Sequence, residues 1–140
     1  MQLTQFTDYS LRVLIYLGER PDVRCTITDI AAWHDISKQH LVKVTHHLAK
    51  LAYIKSIQGK GGGIELAVSP SAINIGVLIE QTEPHFELVE CFNRQTNSCR
   101  ITESCSLKHL LFDAQRQFLA VLKKKTLEDI LGPGSVLAKR

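Results

Sequence analysis

The sequence predicts a mostly α-helical fold with one small β-hairpin, and three observations lead to that prediction. Two amphipathic stretches meet at a tight turn around residues 35–37, as in a helix-turn-helix. A glycine-rich turn between alternating apolar residues follows, as in a hairpin. A long amphipathic stretch then comes after a polar segment that carries cysteines. The predicted architecture is a winged helix-turn-helix with a long C-terminal dimerisation helix.

The chain is long enough for one domain with an appendage, since it has 140 residues. Residues 1–83 are predicted to form the winged helix-turn-helix domain. Residues 84–106 are predicted to form a cluster-binding loop, and residues 107–131 the dimerisation helix with its cap. Residues 132–140 give little structural signal and are interpreted as a tail.

Basic residues are concentrated in one part of the first half of the chain. No Asp or Glu occurs from Ile36 to Ile64, whereas five lysines do: Lys38, Lys43, Lys50, Lys55 and Lys60. The net charge of the whole chain is only +3. The placement of the charges, more than their sum, therefore indicates a basic face suited to the phosphates of nucleic acid.

The first two helices are predicted from their apolar spacing and their starting residues. Residues 4–18 carry an apolar stripe, a threonine that can cap the helix, and Asp8 at its positive end. A second helix is expected to begin at Thr26. A tight turn then ends at Ser37, which is a suitable N-cap for a third helix.

The third helix, from Lys38 to about Ala52, is predicted to be the recognition helix of a helix-turn-helix over residues 28–51. One of its sides is apolar and the other is basic and polar, so the basic side would enter a major groove. DNA contacts are predicted for Ser37, Lys38, Gln39, His40, Lys43 and His47. The alternative is an amphipathic helix whose basic face is merely solvated.

The hairpin over residues 54–68 is predicted to be the wing. Glycines at its turn allow close approach of the backbone to another surface and expose amide donors. Lys60, Gly61, Gly62 and Gly63 are therefore predicted to contact phosphate or the minor groove. The alternative is a flexible hairpin tip. The glycine spacing is not that of a nucleotide-binding loop, and no helix begins there.

Three of the four cysteines, Cys91, Cys99 and Cys105, fall within a polar segment of 15 residues. Such a segment buries too little apolar surface to order itself, so a metal or metal cluster is the expected organiser. The spacing favours an iron–sulfur cluster over zinc, although zinc and reactive thiols stay open as alternatives. Cys25 lies far from this segment and is interpreted as a small buried residue.

The remaining segments complete the predicted architecture. A short helix over residues 74–82 is capped by Asn74, and a long amphipathic helix runs from Ser106 to about Lys125. Its apolar stripe predicts a symmetric partner helix, and the alternative is packing against its own domain. No signal peptide and no membrane-spanning run is apparent, so we expect a cytoplasmic protein that does not contact a membrane.

The combination of these motifs resembles the IscR/NsrR family of bacterial winged-helix regulators. The resemblance rests on Phe6–Arg12 (FTDYSLR), on the helix-turn-helix, on the wing sequence Gly59–Gly63 (GKGGG) and on the three-cysteine loop before a long helix. Shorter matches are Met1–Thr4, His40–Lys43, Cys99–Thr102 and Cys105–Lys108. Together they cover residues 1–131.

The resemblance implies a homodimer with one iron–sulfur cluster per protomer, [4Fe–4S] being favoured and [2Fe–2S] possible. It implies that Cys91, Cys99 and Cys105 bind the cluster and that Asp8 from the partner subunit is the fourth ligand. His109 ranks below Asp8 because it is not at the offset of the family's histidine ligand.

The resemblance further implies a transcriptional repressor, not an enzyme, that binds a double-stranded DNA operator and releases it when nitric oxide reacts with the cluster. The alternative is a regulator on the same fold that responds to iron–sulfur status, or to redox change through zinc or thiols. Two residues depart from the family pattern: Lys60 stands where many relatives have arginine, and Glu65 where relatives have a basic or aromatic residue.

Overall fold

The structure is a computed structural model and describes residues 1–132. It contains six α-helices and two strands within that range, in the order α1 (Gln5–Gly18), α2 (Ile27–His34), α3 (Lys38–Lys50), β1 (Ile54–Ile57), β2 (Gly63–Leu66), α4 (Ile75–Thr82), α5 (Ser106–Leu122) and α6 (Leu127–Leu131). Short 3-10 turns lie at Pro70–Ala72 and Glu90–Phe92. The predicted tail, apart from Gly132, lies outside the described residues.

Side-chain caps fix where most of these helices begin. An oxygen of the cap residue accepts a hydrogen bond from a backbone amide of the first turn, which satisfies a donor that the helix leaves free. The caps are Thr4, Thr26, Ser37, Asn74 and Thr126. α2 also has a full capping box, in which hydrogen bonds from Thr26 lower the pKa of Asp29 below its usual value.

The helix-turn-helix packs on α1 through one apolar core. Leu41, Val44 and Leu48 of α3 are buried, together with Leu14 of α1 and Ile30 of α2. Asp35, in the turn between α2 and α3, has φ 52°, a left-handed conformation that Asp tolerates better than most residues. The predicted turn and third helix are thus present, although α3 ends at Lys50, two residues before the expected Ala52.

The wing is an antiparallel hairpin whose base is joined to the loop before α2. Ile54 pairs with Leu66 and Ile57 with Gly63. The backbones of Cys25 and Ile64 also exchange hydrogen bonds, of 3.1 and 2.8 Å between nitrogen and oxygen. Cys25 is buried, as predicted, but its backbone role at the edge of the hairpin is a feature that the sequence did not indicate.

α5 is shorter than predicted and is tied to the helix-turn-helix domain at its C-terminal end. It has 17 residues, or about 26 Å at 1.5 Å per residue. Asn74 Nδ2 donates to the carbonyl oxygen of Lys123 at 2.7 Å, and the Ile75 amide donates to Lys125 at 2.9 Å. Gly76 permits this approach, because a Cβ there would lie 2.9 Å from the Cα of Lys123.

α6 completes the core of the winged helix-turn-helix. Leu127 is fully buried, and its amide donates to the Ile73 carbonyl at 2.8 Å. A Cβ on Gly18 would lie 2.5 Å from a methyl carbon of Leu131, so α1 and α6 are in close contact. The final turns therefore pack on the N-terminal domain. None of the helices within residues 1–132 is both long and apolar enough to cross a membrane.

Candidate DNA-binding face and cysteine loop

The outer side of α3 is exposed and contains no carboxylate. Most of the predicted DNA contacts lie there with their side chains in solvent: Ser37, Lys38, Gln39, His40 and Lys43. The buried residues of α3 are Leu41, Val44, Thr45 and Leu48, and they share the opposite side. The helix therefore presents a face of hydrogen-bond donors and positive charge that no acid of the same helix neutralises.

His47 is placed differently from the other five predicted contacts on this helix. It is half-buried, its ring lies edge-on to Phe6 at a centroid distance of 5.4 Å, and its Nε2 lies 3.2 Å from the carbonyl oxygen of Gln81. It joins α3 to α1 and to the end of α4. His46, which was not among the predicted contacts, is exposed on the outer side instead.

The wing tip has the open backbone that its glycines predict. Gly59 and Gly61 have φ values of 94° and 76°, in the region that favours glycine, and Lys60 between them is exposed. Gly62 admits no side chain, since a Cβ there would lie 2.3 Å from the carbonyl oxygen of Ile57. Lys38, Gly59 and Gly62 line the same open cleft, so the start of α3 adjoins the tip of the wing.

Glu65 does not leave an unbalanced negative charge on the wing. Its carboxylate lies 3.0 Å from Nζ of Lys55, its cross-strand neighbour, and 3.8 Å from Nε of Arg24. Arg24 was not singled out in the sequence because it lies in the loop before α2, 37 residues from the wing tip that it contacts. Only the tertiary structure brings its charge to the wing.

The cysteine loop is organised by short polar turns. Asn97 accepts a hydrogen bond from the amide of Cys99 at 3.1 Å, and Thr102 Oγ1 donates to the Cys99 carbonyl at 2.8 Å. Glu90 accepts from the amide and the hydroxyl of Ser98, at 3.3 Å each. These contacts shape the loop locally, and Phe92 packs edge-on against Phe112 of α5 at a centroid distance of 6.0 Å.

Cys91, Cys99 and Cys105 are unpaired and half-buried, so their sulfur atoms are available as ligands. Cys105 is the residue directly before α5 and makes no side-chain capping hydrogen bond there. Among residues 1–132, however, no three His, Cys, Asp or Glu side chains form a group that could hold a metal ion. The three thiols suit iron–sulfur chemistry, but a single chain does not bring them together with any other donor into a preformed site.

Asp8 is exposed enough to act outside its own chain, and it already has a partner. Its Oδ2 lies 2.8 Å from Nη2 of Arg12, one helical turn along α1, and Nε of Arg12 donates to Oδ1 at 3.2 Å. Both side chains are more than two-fifths exposed. A ligand role for Asp8 would therefore have to replace a two-point ion pair that water already weakens.

α5 has two apolar faces with different surroundings. Leu119 and Leu122 pack against the core of the N-terminal domain, whereas Leu107, Leu110 and Val121 are exposed. Leu107, Leu110, Ala114 and Val121 recur at spacings of three, four and seven, so they lie on one side of the helix. Packing against its own domain therefore holds for the C-terminal part of α5, and the symmetric partner helix stays a prediction.

Known proteins are similar to this chain over most of its length. The model of the Rrf2 family, described as an iron-dependent transcriptional regulator, matches residues 3–133. NsrR of Bacillus subtilis, an HTH-type transcriptional regulator, is 49% identical over 132 residues, covering 94% of this chain and 90% of that protein. NsrR of Halalkalibacterium halodurans is 48% identical, with coverage of 94% and 90%.

Solved structures have the same fold at lower identity. CymR, the global cysteine regulator of B. subtilis, gives a TM-score of 0.73 at 23% identity and covers 94% of this chain and 96% of CymR. T. potens IscR gives 0.72 at 21% identity, with coverage of 94% and 86%. These two likenesses show the fold alone, and they confirm the mostly α-helical prediction with its small hairpin.

Proposed function

The chain belongs to the Rrf2 family of transcriptional regulators, and from that premise we propose that it is a dimeric repressor that senses nitric oxide through an iron–sulfur cluster. The family and the identity to NsrR confirm the resemblance predicted from the sequence. They also confirm that the chain is a regulator of transcription and not an enzyme. The signal, the cluster and the dimer are the proposed part.

The observation that carries the proposal is the shared basic surface of α3 and the wing. Lys38 and Lys43 are exposed on α3, Lys60 is exposed at the wing tip, and Lys38 adjoins the glycines of that tip. In this proposal α3 enters the major groove, while the wing glycines approach the backbone or the minor groove. With about six phosphates neutralised per dimer, log affinity should fall against log salt with a slope of about −5.

We propose that Cys91, Cys99 and Cys105 bind one iron–sulfur cluster per protomer, with Asp8 of the partner subunit as fourth ligand. [4Fe–4S] is favoured over [2Fe–2S]. When bound, the cluster supplies iron atoms to which nitric oxide can bind as a ligand. The exposed position of Asp8 on α1, from which its carboxylate can reach outside its own chain, supports this assignment.

The dimer is proposed to form through the exposed apolar face of α5. Leu107, Leu110 and Val121 are between 59% and 65% exposed, although each is large and apolar. A two-fold axis across α5 would bury this face against its own copy and fix the distance between two α3 helices.

The residues of the chain would transmit the signal as follows. While the three thiolates of one subunit and the partner's Asp8 share one site, the cysteine loop is ordered. The same site holds α1 of each subunit against the cysteine loop of the other subunit. When these ligands are released, Asp8 can pair again with Arg12, and the two DNA-binding heads lose their fixed separation. A tenfold loss of DNA affinity requires only about 1.4 kcal/mol.

The test is an anaerobic titration with nitric oxide, in which absorbance and DNA binding are followed on the same sample. The DNA is a duplex about three helical turns long, which is first selected by its binding to the protein from a library of random sequences. We expect a coloured protein whose absorbance and DNA affinity fall together. Cys99→Ser should abolish the colour, whereas Cys25→Ser, at the buried fourth cysteine, should keep it.

Two results would contradict the proposal and favour its alternatives. A colourless protein with one zinc ion per chain would indicate a zinc or thiol regulator on the same fold. A coloured protein that keeps its DNA affinity in nitric oxide, but loses it when iron is removed, would indicate a sensor of iron–sulfur status.

A further inference from the structure

One exposed residue of α3 is apolar and large. Val42 is 47% exposed, although it lies in the middle of the helix and directly follows the fully buried Leu41. The buried residues of α3 are Leu41, Val44, Thr45 and Leu48, and Val42 is not among them. Val42 therefore adds little to the core, and its β-branched side chain is also a weak helix former. Folding does not explain its presence.

Val42 lies among the polar residues of the proposed DNA-binding face. It follows Lys38 by four residues and Gln39 by three, and it precedes His46 by four, so these side chains are neighbours on one helix surface. All three of these neighbours are exposed. The surface that would enter the groove thus has an apolar spot surrounded by hydrogen-bonding groups.

The major groove offers one apolar group to such a spot. Of the four bases, only thymine presents a methyl group there, and small apolar side chains contact it. A Gln side chain can form paired hydrogen bonds with adenine. We propose that Val42 contacts the C5-methyl group of a thymine and, together with Gln39, gives each half-site a preference for A·T pairs. This inference rests on the proposed docking of α3 in the major groove.

The experiment removes the methyl group from the DNA and its contact from the protein. Each thymine of the duplex selected by the protein is replaced in turn by deoxyuridine, which lacks only that methyl group. The affinity of the protein for each duplex is measured by fluorescence anisotropy. At one position per half-site we expect about fourfold weaker binding, which corresponds to about 0.8 kcal/mol for one methyl group. Val42→Ala should weaken binding to the unmodified duplex and should distinguish thymine from deoxyuridine less well than the parent at that position, because the shorter side chain makes less of the contact.

Val77→Ala is the matched control. Val77 is 37% exposed on α4, so the same atoms are removed from a residue that is not on the proposed DNA-binding face. This variant should bind both duplexes like the parent protein. Thermal unfolding of both variants should show that each is folded.

The outcomes separate this inference from the function on which it rests. If the parent protein enriches no duplex at all, the proposed DNA-binding function fails. If it binds a duplex but no deoxyuridine replacement matters, the contact with thymine is wrong. If Val42→Ala remains as sensitive to deoxyuridine as the parent, a residue other than Val42 contacts the methyl group.

Discussion

Arg24 donates a hydrogen bond from Nη1 to the carbonyl oxygen of Gly61, 3.1 Å away, and so joins the loop before α2 to the tip of the wing. The same guanidinium lies 3.8 Å from Glu65, which also pairs with Lys55. Glu65, a departure from the family pattern, therefore has a structural role at the base of the wing. Its charge is balanced before any DNA arrives.

We expect Arg24→Ala to weaken DNA binding by about threefold to tenfold, because the wing tip loses a hydrogen bond worth about 1 kcal/mol and Glu65 loses one of its two cations. Fluorescence anisotropy with the duplex selected by the protein measures the loss of DNA affinity. Lys124→Ala is the control, since it removes the same charge from an exposed position at the end of α5. Arg24→Ala combined with Glu65→Gln should recover part of the affinity. If Arg24→Ala and Lys124→Ala lose the same DNA affinity, the effect of Arg24 comes only from its charge and not from its contacts with the wing.

We expect Asp8→Ala to leave the free energy of unfolding within about 1 kcal/mol, because its ion pair with Arg12 is exposed to water. The same variant should bind iron less firmly, if Asp8 of the partner subunit is a ligand. Iron retention under a chelator and the thermal midpoint are the two measurements.

Asp113→Ala is the matched control for Asp8→Ala. Asp113 lies 3.6 Å from Arg116 in another exposed pair within one helix. Loss of this pair should alter neither iron retention nor stability. Unchanged iron retention in Asp8→Ala would show that Asp8 is not a ligand, and His109 would then be the next candidate.

We expect Leu110→Glu to convert the dimer to a monomer while the fold is kept. Leu110 is 65% exposed, so the change disturbs no core, but it places a charge in the proposed interface. Sedimentation velocity gives the mass, and DNA affinity should fall at least tenfold because two half-sites are no longer bound together. Val23→Glu, at an exposed apolar residue in the loop before α2, should stay dimeric. A dimeric Leu110→Glu protein would place the interface elsewhere.

We expect the protein to lose stability at acid pH because of His34. Burial, and then the positive charge of Arg12, lower the pKa of its imidazole, with Arg20 adding to this and Asp8 opposing it. Its Nε2 is buried without a hydrogen-bond partner among the described residues. Because the folded pKa lies below the unfolded value of about 6.5, the unfolded chain binds the proton more readily. The contribution of His34 to stability is thus complete above about pH 6.5 and decreases as the pH falls through the folded pKa.

The measurement is the thermal midpoint between about pH 8 and about pH 5. His34→Gln, which cannot be protonated, should make the midpoint less dependent on pH than it is in the parent. His46→Gln removes an exposed histidine of α3 and should leave that dependence unchanged. If both variants follow the parent curve, other groups determine the acid sensitivity.

Local patterns were sufficient to predict most of the fold. Ser37 and Asn74 cap helices in the structure as the sequence indicated, because capping depends on residues only two or three positions apart. The hairpin was equally predictable, since its glycines and alternating apolar residues are contiguous. The end of α5 was less predictable. Three lysines, which are good helix formers, follow Leu122, so no local signal ends the helix, whereas in the structure Asn74 and Gly76 pack against Lys123 directly after it.

Some features of the candidate site likewise follow from the sequence, and others depend on tertiary contacts. The sequence by itself determined that α3 would have a basic face, that three thiols would share one polar loop and that Cys25 would be buried, because these follow from composition and spacing. Only the tertiary structure decided that His47 turns toward Phe6, that Arg24 reaches the wing and that Val42 is exposed among polar neighbours. These depend on how α1, α3 and the hairpin pack, and contacts between residues far apart in the chain are not encoded in any local pattern.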